Sequence, residues 1–223
     1  MQKPAPFEPR SHALAYWVIT LLVVMLVLQQ LVEPLSWLHL PLVDIHGVLL
    51  HHFELATFAY DPQFPLHAPW RWLTTHLVHL DWPHALTNMV AFVAACVVFA
   101  PLLNARRLFA ILLTGALGAC TVHTLANTSV SFVGFSALTH AIVAYSAVLI
   151  SVAKPCFWRG REPMRRWIGY LMLLAIGLKT TLELAAPAAS MNWLGASAAV
   201  YAHLGGLLAG AAVALVLVYC RRQ

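Results

Sequence analysis

Six stretches of roughly twenty mostly apolar residues divide this chain, and they constrain everything else about it. A helix of that length matches the hydrocarbon thickness of a bilayer. The runs cover about 13–32, 84–103, 108–126, 134–153, 167–186 and 196–220. None alternates apolar with polar residues, as barrel strands do over about ten residues, so each is expected to be helical. Hydrophobic residues make up 61% of the 223 and charged residues 9%, against about 45–50% and about 25% in soluble domains. Too few charges remain to cover a water-facing surface, and the chain is too apolar to stay disordered. The expected fold class is an all-α integral membrane protein, a six-helix bundle in which residues 1–223 form a single domain.

Orientation follows from Lys and Arg in the loops. Lys3 and Arg10 precede the first run, Arg106 and Arg107 join the second to the third, and Lys154, Arg159, Arg161, Arg165 and Arg166 join the fourth to the fifth. Arg221 and Arg222 follow the sixth run, and these groups fall on one side if the spans alternate. Both termini are therefore expected in the cytoplasm, with the first run a retained signal anchor. The positive charge is accounted for by this topology, so no nucleic-acid partner is implied; the lipid bilayer is the partner. Between the first two spans, Glu33 to Trp82 form a long outer loop rich in Trp, Phe, Leu and His. Short interfacial helices are expected there, anchored by Trp37, Trp70, Trp72 and Trp82. Cys96, Cys120, Cys156 and Cys220 show neither zinc spacing nor a disulfide framework.

Ionisable residues inside spans are costly and are functional candidates by default. Here they are His84, His123, His140, Lys179, Glu183 and His203, joined by the polar Asn88 and Ser136. Spans two, four and six all enter from outside. His84, Asn88, Ser136 and His203 therefore share one depth in the outer half, and no acidic residue is placed at that depth. A serine hydroxyl needs a nearby base to become a nucleophile, and His203 can reach it if small residues let span six approach span four. Gly206 and Gly210 below His203 supply such a stripe. Gly134-Phe135-Ser136 reads as a glycine turn opening a helix, whose free N–H groups favour negative charge. The expectation is a Ser–His dyad with no metal and no cofactor. Taken singly, each piece also has an ordinary reading: an interfacial histidine, an interhelical Asn, an N-cap serine, a packing stripe.

Together these residues resemble the rhomboid family of intramembrane serine proteases. Trp70-Arg71 is similar to that family's WR element, and His84-Ala-Leu-Thr-Asn88 to its HxxxN. Gly134-Phe-Ser136-Ala resembles GxSG, with Ala137 in place of the last glycine. Ala202-His203-x-x-Gly206-x-x-x-Gly210 resembles AHxxGxxxG. The resemblance implies Ser136 as nucleophile and His203 as general base. It implies His84, Asn88 and the Ser136 backbone N–H as oxyanion hole. His140 stands where many rhomboids have a tyrosine stacked on the catalytic histidine, and is expected to pack rather than act as base. Compact length and the Ser-x-x-x-His pattern are most similar to the rhombosortase branch. That implies single-span membrane substrates, cut near the outer face at a C-terminal Gly-Gly-type segment, and residence in a bacterial inner membrane. Two other readings are an inactive rhomboid-like helix-binding protein, to which Ala137 would point, and a haem protein ligated through His140 and His203.

Overall fold

The computed structural model describes residues 10–33, 54–152, 162–185 and 199–220. Trp37, Cys156, Lys154, Arg159, Arg161 and the start of the sixth apolar run lie outside the described residues. Seven α-helices follow in order among the described residues: α1 (Arg10–Val32), α2 (Arg71–Thr74), α3 (Trp82–Val98), α4 (Ala105–Leu125), α5 (Ser136–Val152), α6 (Glu162–Ala185) and α7 (Val200–Cys220). Four of them, α1, α4, α6 and α7, are long and apolar enough to cross a membrane, and α3 and α5 are apolar helices of 17 residues.

The boundaries have local causes. The Asp81 side chain accepts from the His84 N–H at 2.7 Å and caps α3, with Pro83 in the first turn. That helix stops at Val98 rather than near residue 103, because Pro101 has no N–H to continue it. Asn104 caps α4 through the Arg107 N–H. Helix α6 begins at Glu162, earlier than the apolar run, so Arg165 is helical rather than a loop residue. It is buried and donates to the Ile150 carbonyl in the last turn of α5, where a cation meets the negative end of the helix dipole.

Helix α5 is buried over most of its surface and sits at the centre, packed by α3, α4, α6 and α7. Its tightest neighbour is α7. A Cβ at Gly206 or Gly210 would run into the carbonyls of Ala137 and Ala141, so only glycine lets the two backbones meet. The outer faces differ. On α6, Trp167, Leu171, Leu174, Leu178 and Leu182 form an exposed apolar stripe at helical spacing, as lipid contact requires.

The described part of the outer loop, from residue 54, holds a 3-10 turn (Leu55–Thr57) and the short helix α2. Trp70 Nε1 and Arg71 Nε both donate to the Thr57 carbonyl at 3.2 Å, closing that segment on itself. Trp70 is exposed, whereas Trp82 donates to the Glu33 carbonyl at 2.7 Å and ties the loop back to α1.

Candidate active site

Gly134 has φ +121°, a conformation that side chains other than hydrogen rarely tolerate. This turn delivers Ser136 to the first position of α5, where its N–H has no partner within the helix. The turn is braced from the outer loop. Tyr60 and Phe132 exchange backbone hydrogen bonds at 3.1 and 3.2 Å. The Thr75 hydroxyl donates to the Phe132 carbonyl, and the Thr75 carbonyl accepts from the Gly134 N–H at 2.9 Å. His79 Nε2 accepts from the Phe135 N–H at 3.2 Å, while its own backbone N–H is held by Gln29 of α1 at 2.9 Å. Burial pushes the imidazoles of His76 and His79 down to about 4 and about 3, so both are neutral near pH 7, as the acceptor role of His79 requires.

On the bundle side, Ser136 Oγ lies 2.7 Å from His203 Nε2 in the first turn of α7. His203 Nδ1 lies 3.0 Å from Glu183 Oε2, in the last turn of α6. The other Glu183 oxygen is paired with Lys179 one turn back, and Lys179 Nζ also stands 3.3 Å from His140 Nε2. His140 Nδ1 then returns to the Ser136 carbonyl at 2.8 Å. Five residues thus form a closed ring, which runs through both the hydroxyl and the backbone carbonyl of Ser136. An ammonium only donates and a carboxylate only accepts. His140 Nε2 must therefore accept and its Nδ1 donate, and His203 Nδ1 must donate to Glu183. In the neutral imidazole that leaves His203 Nε2 as the acceptor facing the serine hydroxyl. The two imidazoles stack, with centroids 4.4 Å apart and planes 9° from parallel.

The expectation that no acidic residue stands at this depth is corrected by Glu183. Helix α6 runs toward the same side from which α3, α5 and α7 start, so its last turn reaches the level of Ser136 and His203. Lys179 and Glu183 are also four residues apart and so lie one turn apart on one side of α6, with Glu183 buried. That was the legible signal. His123 does not join the site: its Nε2 contacts the Val130 carbonyl at 2.6 Å and holds the turn after α4.

A cavity of about 500 Å³ opens onto the ring, bordered by His84, Asn88, Ser136, His140, Glu183 and His203. The His84 ring lies so close to Gly134 that an added Cβ would stand 3.1 Å from it. Asn88 Nδ2 donates to the His84 carbonyl at 3.0 Å, leaving one amide hydrogen for the cavity. Ala137 is buried in a small cluster with Tyr60, Ala119, Cys120, Phe132 and Ala202. His140, Glu183 and His203 each place one ligand atom within 4.8 Å of the others, a spacing that could hold a metal ion. The Lys179 ammonium bonds both His140 and Glu183 and so supplies the positive charge of that cluster itself.

A family model described as Rhomboid domain matches residues 66–220, from the outer loop through α7. No curated protein matches the chain significantly.

Proposed function

The chain belongs to the rhomboid family of multi-pass membrane proteins, typically serine protease hydrolases, and on that premise we propose that it is an intramembrane serine endopeptidase. The observation that carries the reading is the 2.7 Å contact between Ser136 Oγ and His203 Nε2, at a helix N-terminus that borders a cavity. Ser136 Oγ attacks the scissile carbonyl carbon while its proton passes to His203 Nε2. Negative charge moves to the carbonyl oxygen, within reach of the Ser136 N–H, His84 and Asn88. The imidazolium gives the proton to the leaving amine as the C–N bond breaks. Water then attacks the acyl ester, with His203 again taking and returning one proton.

All six long helices are read as spans, with both termini in the cytoplasm of a bacterial inner membrane and the site in the outer half. Substrates are single-span membrane proteins. A helix hides its carbonyls in internal hydrogen bonds, so the segment cut must unwind, and glycine weakens a helix by about 1 kcal/mol relative to alanine. A Gly-Gly pair beside an apolar helix, as in rhombosortase substrates, fits that need.

Two competing readings fit these contacts less well. Ala137 pointed to an inactive relative, but its methyl is accommodated without separating Ser136 from His203. Haem ligation needs His140 and His203 apart, and their stacked rings leave no room for a porphyrin between them.

The test is cleavage of labelled single-span substrates by the purified protein in detergent, beside Ser136→Ala. Cleavage by the wild type and none by the variant is expected. Equal cleavage by both would end the serine-protease reading.

A further inference from the structure

We propose that Glu183 is a positioning carboxylate for His203, so that the catalytic unit is a Ser136–His203–Glu183 triad set in a closed hydrogen-bonded ring. The inference rests on the serine-protease reading and adds to it a residue from the otherwise lipid-facing helix α6.

A base must present the correct nitrogen. His203 can take the serine proton only when Nε2 is bare and Nδ1 carries the hydrogen, and Glu183 Oε2 at 3.0 Å from Nδ1 selects that form. When Nε2 receives the proton, the imidazolium appears in an apolar site, and the adjacent carboxylate opposes its charge. Glu183 itself takes no proton; its charge is already balanced by Lys179. Lys179 has a second task. Its contact to His140 Nε2 forces His140 Nδ1 to donate to the Ser136 carbonyl, so His140 is turned away from Ser136 Oγ and presents its ring face to His203.

The ring has an acceptor count that a neutral amide cannot meet. In Glu183→Gln, directing the single amide oxygen to His203 sets an NH2 against the Lys179 ammonium, donor facing donor. Directing it to Lys179 sets the NH2 against His203 Nδ1, which then gives up its hydrogen and places it on Nε2, the wrong nitrogen. Either arrangement breaks the ring. The comparable change in a soluble serine protease lowers kcat about 10⁴-fold with the geometry intact.

The experiment measures kcat and KM on one single-span substrate for wild type, Ser136→Ala, Glu183→Gln, Glu183→Asp and Glu183→Ala, with thermal unfolding of each in detergent. Glu183→Gln is expected to lose about 100-fold or more in kcat with KM little changed. Glu183→Asp should recover part of the loss. Glu183→Ala should be partly restored by added formate, a small carboxylate that fills the vacated position. Formate rescue is the readout that a merely structural role would not produce. Wild-type kcat in Glu183→Gln, with Ser136→Ala inactive, would remove the triad and leave the protease. Loss in all three Glu183 variants with lowered unfolding temperatures and no response to formate would make Glu183 a brace, and would likewise overturn the proposal. Cleavage by Ser136→Ala would instead overturn the protease reading beneath it.

Discussion

Ser136 is held from two sides, and the two sides use opposite chemistry. Toward the outer surface, residues 60–79 fix the backbone of the Gly-Phe-Ser turn with neutral groups: paired amides, a threonine hydroxyl and two uncharged histidines. Toward the bundle, α6 and α7 fix the reacting side chains with an ion pair and two imidazoles of defined tautomer. The contrast has a physical logic. Backbone position needs only to be constant, and neutral hydrogen bonds deliver that without charge in an apolar setting. Orientation of a base must persist while a proton moves, and there a charged partner counters the charge that develops. Damage on the outer side should therefore appear in stability as well as rate, whereas damage on the bundle side should appear in rate alone.

The largest effect that would break this division is expected on the bundle side. His203→Phe should abolish cleavage, while its unfolding temperature stays near that of the wild type. His140→Phe should retain measurable cleavage, since a phenyl ring can still stack on His203 though it loses the Lys179 contact. Kinetic assays of the pair decide it: activity in His203→Phe with none in His140→Phe would exchange their roles.

Next comes the outer side. Gly134→Ala places a side chain at φ +121° and a Cβ 3.1 Å from the His84 ring. Strain of about 1–3 kcal/mol is expected, read as a lower unfolding temperature together with a cleavage rate reduced by about tenfold or more. A rate loss with unchanged unfolding would erase the distinction between the two sides.

The division also marks what the sequence made legible. The apolar runs are visible because bilayer thickness fixes their length, and Gly134, Ser136, His203, Gly206 and Gly210 are visible because turns, caps and close packing demand particular residue types at fixed spacing. The outer brace was not visible. Thr75, His76 and His79 bond to backbone groups more than fifty residues away, and backbone partners leave no mark on sequence. Glu183 was visible and misplaced. The outer level is set by the starts of helices that enter from outside, yet the far end of a helix running the other way, such as α6, reaches the same level. The end of α3 falls short of the apolar run for a smaller reason: hydropathy continues to residue 103, whereas Pro101 stops the helix at Val98.

A milder probe of the outer side is acid. His76 and His79 stay neutral when folded down to about pH 4 and about pH 3 but take protons near pH 6.5 when unfolded. Between those limits the unfolded chain binds more protons, so stability falls as pH falls, by up to about 1.4 kcal/mol per unit for each histidine. The unfolding temperature in detergent should therefore decline from pH 7 to pH 5. In His79→Gln, whose side-chain oxygen can still accept from the Phe135 N–H, the decline should be shallower. An identical slope in the variant would show that this brace is not what acid attacks.

The smallest effect is expected at Ala137, where the two sides meet. Its methyl packs among Tyr60 and Phe132 of the outer side and Ala119, Cys120 and Ala202 of the bundle, while its carbonyl lies against Gly206. Glycine there would match the family motif more closely, yet it removes a buried methyl worth about 1 kcal/mol and frees the first turn of α5. If the methyl only fills space, Ala137→Gly should lower the unfolding temperature slightly and leave kcat/KM within about twofold. If it crowds α7 and holds the serine back, the same change should raise cleavage well beyond that. Side-by-side kinetics and unfolding of this one variant separate packing from obstruction, because packing predicts a loss of stability with no gain in rate and obstruction predicts the gain.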